Sequence, residues 1–276
     1  MCLAVIALAA YPRFRAVIAA NRDEFHARPA APAHWWDECT GAGAGAGSRV
    51  LAGRDLQAGG TWLGITGQGR WAFVTNVREP ARHDPQAPSR GVLVPAILRD
   101  GRDPAAALAS TVAGAAGFNG FNVVAGDGLH AAFGSNRAAA AIQTLPPGLH
   151  GVSNAQLDTP WPKLARVKAG VARWIESGAP DPRALWEVLA DRTIAPDAEL
   201  PATGLPLERE RLVSAPFIVS DTYGTRCSTI IALGRDGSVH FAERSFDPEG
   251  RITGEVTYRF EVGTAHRTAD PAAERA

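Results

Sequence analysis

The sequence is poor in cysteine, carries no excess charge of either sign, and has no apolar run long enough to cross a bilayer. Its three cysteines, Cys2, Cys39 and Cys227, stand in no Cys-x-x-Cys spacing, which argues against a disulfide framework and a structural zinc site. A reducing, cytoplasmic setting is therefore expected. Lys plus Arg equals Asp plus Glu at 28 each, so no overall field draws the chain to nucleic acid or to an anionic membrane. The opening apolar run has no basic residue before it and is cut by Tyr11-Pro12, unlike a signal peptide. No stretch approaches the roughly 20 apolar residues of a membrane span. With 276 residues, 46% of them hydrophobic, one large core over residues 1–276 is expected.

Hydrophobic patterning divides the chain into hairpins and helices. "CLAVIALA" and "RFRAVIAAN", separated by "AYP", read as a hairpin of two buried strands. A tight turn there would bring residues 21–23 beside the first residues of the chain. From Ala27 to Ser48 the sequence is Pro-rich and then runs through Gly41–Gly47, a pattern expected to be a flexible loop without a core. Strands follow in "GGTWLGIT" and "RWAFVTN". Two helices come next, with Ser89 and Asp103 as candidate caps. "FNVVAGDGLHAAFG" reads as a hairpin on a Gly-Asp turn.

Another strand ends at "GVSNA", ahead of an amphipathic helix with Leu164, Val167, Val171, Trp174 and Ile175 on one face. A shorter helix, "PRALWEVLADRT", is followed by strands at "APFIVSD", "RCSTIIALGRDGSVHFAER" and "EVTYRFEV", and residues 263–276 form a tail. Hairpin pairs in three groups, separated by helices, point to an α+β fold with two packed antiparallel sheets and flanking helices.

The chemistry-bearing residues begin at position 2. Removal of Met1 would leave Cys2 with a thiol and a free α-amine on one residue, and an α-amine of pKa about 7.7 to 8 can act as base for the neighbouring thiol. Such a nucleophile needs a charge partner and an oxyanion donor. Asp23 suits the first role, and Asn76 and Asn154 the second. Arg22 and Arg226 are placed to bind a substrate carboxylate or to lower the thiol pKa. Asn21, Arg22, Glu24 and Trp62 are the expected substrate contacts. Cys227, beside Arg226, is expected to be structural and to face the other way, while Trp35, Trp36 and Trp161 read as packing residues, as does Trp62 in the alternative to its role as a contact.

The ordered series "MC", "AANRDEF", "LAGRD", "GGTWLGI", "TN", "RG", "NGFN", "GVSNAQLDTPWPK", "YGTR" and "FAERS" resembles the NRDE-motif family, which includes the transport and Golgi organisation protein 2 homologues. The resemblance implies a four-layer α-β-β-α sandwich of the N-terminal nucleophile hydrolase kind, similar to penicillin V acylases and bile salt hydrolases. In those enzymes a cysteine exposed by Met removal attacks a linear amide. Carried over, Cys2 matches the nucleophile, Asp23 the carboxylate in contact with it, and Asn154 and Asn76 the oxyanion asparagines. Arg226 matches a strand arginine. One departure is that Ala20 precedes Asn21 and the arginine follows as Arg22, which puts it on the opposite face of a regular strand.

The expected function is hydrolysis of a small linear amide or acyl substrate through a Cys2 thioester. The alternative implied by the family is binding and trafficking of haem, or of a lipid or acyl-CoA, on the same fold. Haem would draw its axial ligand from Cys2, Cys39 or the loop histidines His26, His34 and His83. The hydrolase reading needs no cofactor. A scaffold role is the weakest, since no partner helix or coiled coil is evident.

Overall fold

Residues 2–36, 49–128, 130–138, 142–179 and 181–263 are described by a computed structural model of the chain. β1 (Cys2–Tyr11) and β2 (Phe14–Phe25) form the expected hairpin, with Cys2 opposite Arg22 and Leu3 opposite Asn21. β3 (Ala30–Trp36), β4 (Val50–Asp55), β5 (Leu63–Thr66) and β6 (Trp71–Asn76) lead into α1 (Leu93–Arg99) and α2 (Pro104–Ala113). β7 (Phe121–Gly126), β8 (Ala131–Ser135), β9 (Ile142–Thr144) and β10 (Gly148–Val152) precede α3 (Pro162–Ser177), α4 (Leu185–Leu189) and α5 (Leu207–Leu212). The described chain ends in β11 (Tyr223–Gly234), β12 (Ser238–Phe246) and β13 (Ile252–Glu261).

The strands build two antiparallel sheets, ordered β10-β1-β2-β11-β12-β13 and β3-β4-β5-β6-β7-β8-β9. Strand alternation explains how both faces of each sheet become covered. Ala4, Ile6, Leu8, Ala16 and Ile18 point toward the second sheet and meet Leu51, Ile65, Trp71 and Phe73. Leu3, Val5, Ala7, Val17 and Ala19 point the other way, against Leu164, Val167 and Val171 of α3 and Leu189 of α4. The outer face of the second sheet packs Val50, Ala52, Ala72 and Val123 on Val94, Ile97 and Leu108 of α1 and α2. The result is the expected four-layer α-β-β-α sandwich.

The helix caps follow the sequence: the Ser89 hydroxyl accepts from the Gly91 N–H at 3.3 Å and Asp103 accepts from the Ala106 N–H at 3.0 Å. Three local expectations need correction. The segment from Ala27 was expected to be a coreless loop, yet β3 occupies its first part and buries Ala33, Trp35 and Trp36. β3 is the edge strand of its sheet, where Pro32 removes no ladder hydrogen bond that the sheet requires. Residues 37–48, including Gly41–Gly47, and the tail from residue 264 lie outside the described residues.

"APFIVSD" forms no strand. Its Phe217 N–H donates to the Asp191 carbonyl at 2.8 Å and its Ile218 N–H to Thr225 Oγ1 at 2.9 Å, so loop partners replace a ladder. The β7–β8 connection spans residues 127–130 rather than a two-residue turn. It is closed by the Asp127 N–H on the His130 carbonyl at 3.0 Å.

Among the described residues no helix is long and apolar enough to cross a membrane.

Candidate active site

Cys2 shares the parity of Ala4 and Ile6, so its side chain faces the gap between the sheets, as does that of its cross-strand partner Arg22. At this end the gap is not filled by apolar side chains. It opens into a cleft of about 440 Å³, lined by Cys2, Arg22, Asp23 and Glu24 from the hairpin and by Asp55, Trp62, Asn76 and Arg90 from the facing sheet and its loops. The fold thus gathers residues from Cys2 to Asn119 around one cleft.

The Asp23 backbone N–H donates to the Cys2 sulfur, and burial pushes the thiol up despite the opposing pull of Arg22. A thiol held protonated in this way needs a base before it can attack. Asp23 itself is 1% exposed. Its Oδ1 accepts from Thr225 Oγ1 at 2.8 Å. Burial raises its carboxyl, while the Lys163 ammonium and the Thr225 hydrogen bond pull it back.

Lys163, which sequence reasoning missed, acts on the site through Asp23 and Asn154. It is 1% exposed at the start of α3 and its Nζ donates to Asn154 Oδ1 at 3.1 Å. Burial brings its pKa down to about 8, with Asp23 opposing that fall. A signal was present in the sequence: Lys163 stands four residues before Val167, within the apolar stripe of α3, where a solvated lysine does not belong.

Asn154 does not line the cleft. Its Nδ2 donates to the Asn76 carbonyl at 3.0 Å, and the Arg78 N–H donates to the Asn154 carbonyl at 2.8 Å. Arg78 is anchored by Glu210 of α5 at 2.6 Å and lies over the Trp161 ring at 4.6 Å. Of the two expected oxyanion donors, Asn154 therefore holds β6 in place, whereas Asn76 lines the cleft. The Asn76 amide has no hydrogen-bond partner among the described residues.

Arg22 is 5% exposed. Its guanidinium lies 4.4 Å from the Trp62 ring centroid and 3.6 Å from Asp55. The departure from the acylase pattern therefore places this arginine in the cleft, on the Cys2 side. Trp62 can take this position because β4 carries glycine beneath it: a Cβ on Gly53 would collide with Cη2 and Cζ2 of the indole. Gly60 of "GGTWLGI" serves a backbone contact, since a Cβ there would meet the Gly91 carbonyl. That carbonyl accepts the Thr61 N–H at 3.0 Å.

Like Asn154, two more expected site residues lie outside the cleft. Asn21 faces the helical layer, where Nδ2 donates to the carbonyls of Leu189 at 2.8 Å and Pro216 at 2.9 Å and Oδ1 accepts from the Ser228 hydroxyl at 2.6 Å. With both donors and its acceptor occupied, it is structural. Arg226 is the extra residue of a β-bulge between Thr225 and Cys227, and its Nη1 donates to the carbonyls of Phe25, His26 and Arg28. It lines a separate pocket of about 210 Å³ together with Cys227. The same bulge corrects the expectation that Cys227 faces away from its neighbour.

Among the haem-ligand candidates, His26 is bonded to the Ser220 carbonyl at 3.0 Å. His34, on β3 rather than a loop, meets the Pro32 carbonyl at 2.9 Å. Cys39 lies outside the described residues. Cys2 and His83 line the cleft, whose other walls are rich in charged side chains. That lining does not fit the apolar face of a porphyrin. Among the described residues no cluster of three or more His, Cys, Asp or Glu is arranged to hold a metal ion.

A sequence model of the Transport and Golgi organisation 2 family matches residues 1–248. A Transport and Golgi organization protein 2 homolog from Bos taurus is 37% identical over 248 residues, covering 84% of this chain and 87% of the relative. The homolog from Mus musculus is 35% identical over 248 residues, with the same coverage of 84% and 87%. In three dimensions, the C2A mutant of a conjugated bile acid hydrolase from Clostridium perfringens aligns with a TM-score of 0.52 at 7% identity, covering 100% of this chain and 96% of that one. The sandwich thus shares its fold with that hydrolase, and the chain belongs to the Transport and Golgi organisation 2 family.

Proposed function

We propose that the protein is an acyl-transfer hydrolase in which Cys2, exposed by removal of Met1, attacks a small linear amide or acyl substrate. The observation that carries this reading is the Cys2 sulfur at the head of the cleft, taking the Asp23 N–H. Burial keeps the thiol protonated, so the new α-amine serves as the base, beside the Asp23 carboxylate. The sulfur adds to the acyl carbon and its proton passes to the amine. The Asn76 amide stabilises the oxyanion. Collapse of the adduct breaks the C–N or C–O bond, the leaving group takes the proton, and a thioester remains. Water then attacks the thioester, its proton returns to the sulfur, and the carboxylic acid leaves. The charged walls favour a small polar substrate over a haem or a lipid chain.

Intact mass before and after incubation with a short-chain activated ester tests this. The expected result is a chain lacking Met1 that gains one acyl group, mapped to Cys2, and a folded Cys2→Ala variant that gains none. A chain that keeps Met1, or acylation unaffected by Cys2→Ala, overturns the reading.

A further inference from the structure

We propose that the pocket behind the Arg22–Trp62 stack binds a small oxyanion of the carboxylate or phosphate class. Its volume, about 210 Å³, admits a phosphate or a short carboxylate, and Arg22, Trp62 and Arg226 line it together. Each of these three carries a buried N–H with no acceptor among the described residues: Nη1 of Arg22, Nε1 of Trp62 and Nε of Arg226. Buried donors in folded proteins are nearly always satisfied, so three around one pocket call for an acceptor that enters from outside.

The charge balance points the same way. Arg226 forms no ion pair among the described residues, and burial together with the nearby Arg22 charge lowers its pKa. Arg22 reaches only Asp55, at 3.6 Å, and Arg28 holds the same Asp55 oxygen at 2.6 Å. Among the described residues, Glu243 is the one carboxylate on the pocket wall. Its oxygens are occupied by the Ala33 N–H at 2.8 Å and the Thr229 hydroxyl at 2.9 Å; burial raises its pKa, with the Arg22 charge among the opposing influences. Two guanidinium groups therefore border one pocket; among the described residues Arg226 has no ion pair, and Arg22 shares its one carboxylate partner, Asp55, with Arg28. An oxyanion between them would accept charge-assisted hydrogen bonds from both. Cys2 does not line this pocket, although Arg22 and Trp62 also border the cleft, so the test includes Cys2→Ala to separate anion binding from the acyl chemistry.

The test is thermal unfolding of the full chain in inorganic phosphate or in acetate, at constant ionic strength against chloride. A probe that binds is expected to raise Tm saturably, by about 3 °C at ten times its Kd for a domain of this size. The rise should persist in Cys2→Ala and vanish in Arg226→Gln. It should also vanish in Thr253→Trp, which fills the pocket from the exposed face of β13 and leaves both arginines in place. A response to phosphate alone, to acetate alone or to both supports the site and names its class. No saturable rise with either probe, or a rise retained in Thr253→Trp, overturns it. Should Arg226→Gln fail to fold, Thr253→Trp decides alone.

Discussion

Asn21 and Arg22 are neighbours on β2 that face opposite sides of one sheet. On the helix side Asn21 has every donor and acceptor matched by Leu189, Pro216 and Ser228. On the other face, which borders both the cleft and the smaller pocket, the pairing is incomplete: Arg22 Nη1 and Trp62 Nε1 have no acceptor among the described residues, and Asn76 lines the cleft. Burial alone does not distinguish a structural polar residue from a functional one; saturation of its hydrogen bonds does.

That contrast can be broken most severely at Asn76. Asn76→Ala is expected to lower ester turnover by about 100 to 1000-fold while moving unfolding free energy by less than about 0.5 kcal/mol. A comparable loss of stability would show that Asn76 belongs with Asn21. The converse substitution, Asn21→Leu, leaves two carbonyls and a hydroxyl unmatched. It should cost about 2–4 kcal/mol in denaturant unfolding and leave the Cys2 alkylation rate unchanged.

The smallest effect is a pH dependence at Lys163, which reaches from the helical layer to Asn154. Its folded pKa of about 8 lies below the ordinary 10.5, so below pH 8 the charge is carried in both states and its burial cost is present in full. Between those values the unfolded chain binds the proton more tightly, and stability contributed by this group rises with pH. Wild type should therefore gain on Lys163→Met as the pH is raised from 8 to 10; a constant gap would show that Lys163 does not titrate in that window.

Much of this was legible in the sequence because it depends on local periodicity. Alternation along β1 and β2 sufficed to bring Cys2, Arg22 and Asp23 together, and the stripe from Leu164 to Trp174 located α3. What stayed hidden depends on tertiary partners. Pro29 and Pro32 disguised β3 as a loop, although the buried tryptophans at its end are core residues. The bulge that turns Arg226 out of the cleft leaves no mark in "YGTRCS". That Asn154 is held away from the cleft follows from the Asn76 carbonyl and Lys163 engaging its amide, and spacing carries no information on that.

Position 53 bears on both chambers without facing the nucleophile. Because the indole of Trp62 rests where a β-carbon on that residue would lie, and the same ring borders the cleft and the smaller pocket, one methyl group added to β4 would displace the partition between them. The shape of each chamber is set jointly by an atom that the chain leaves out.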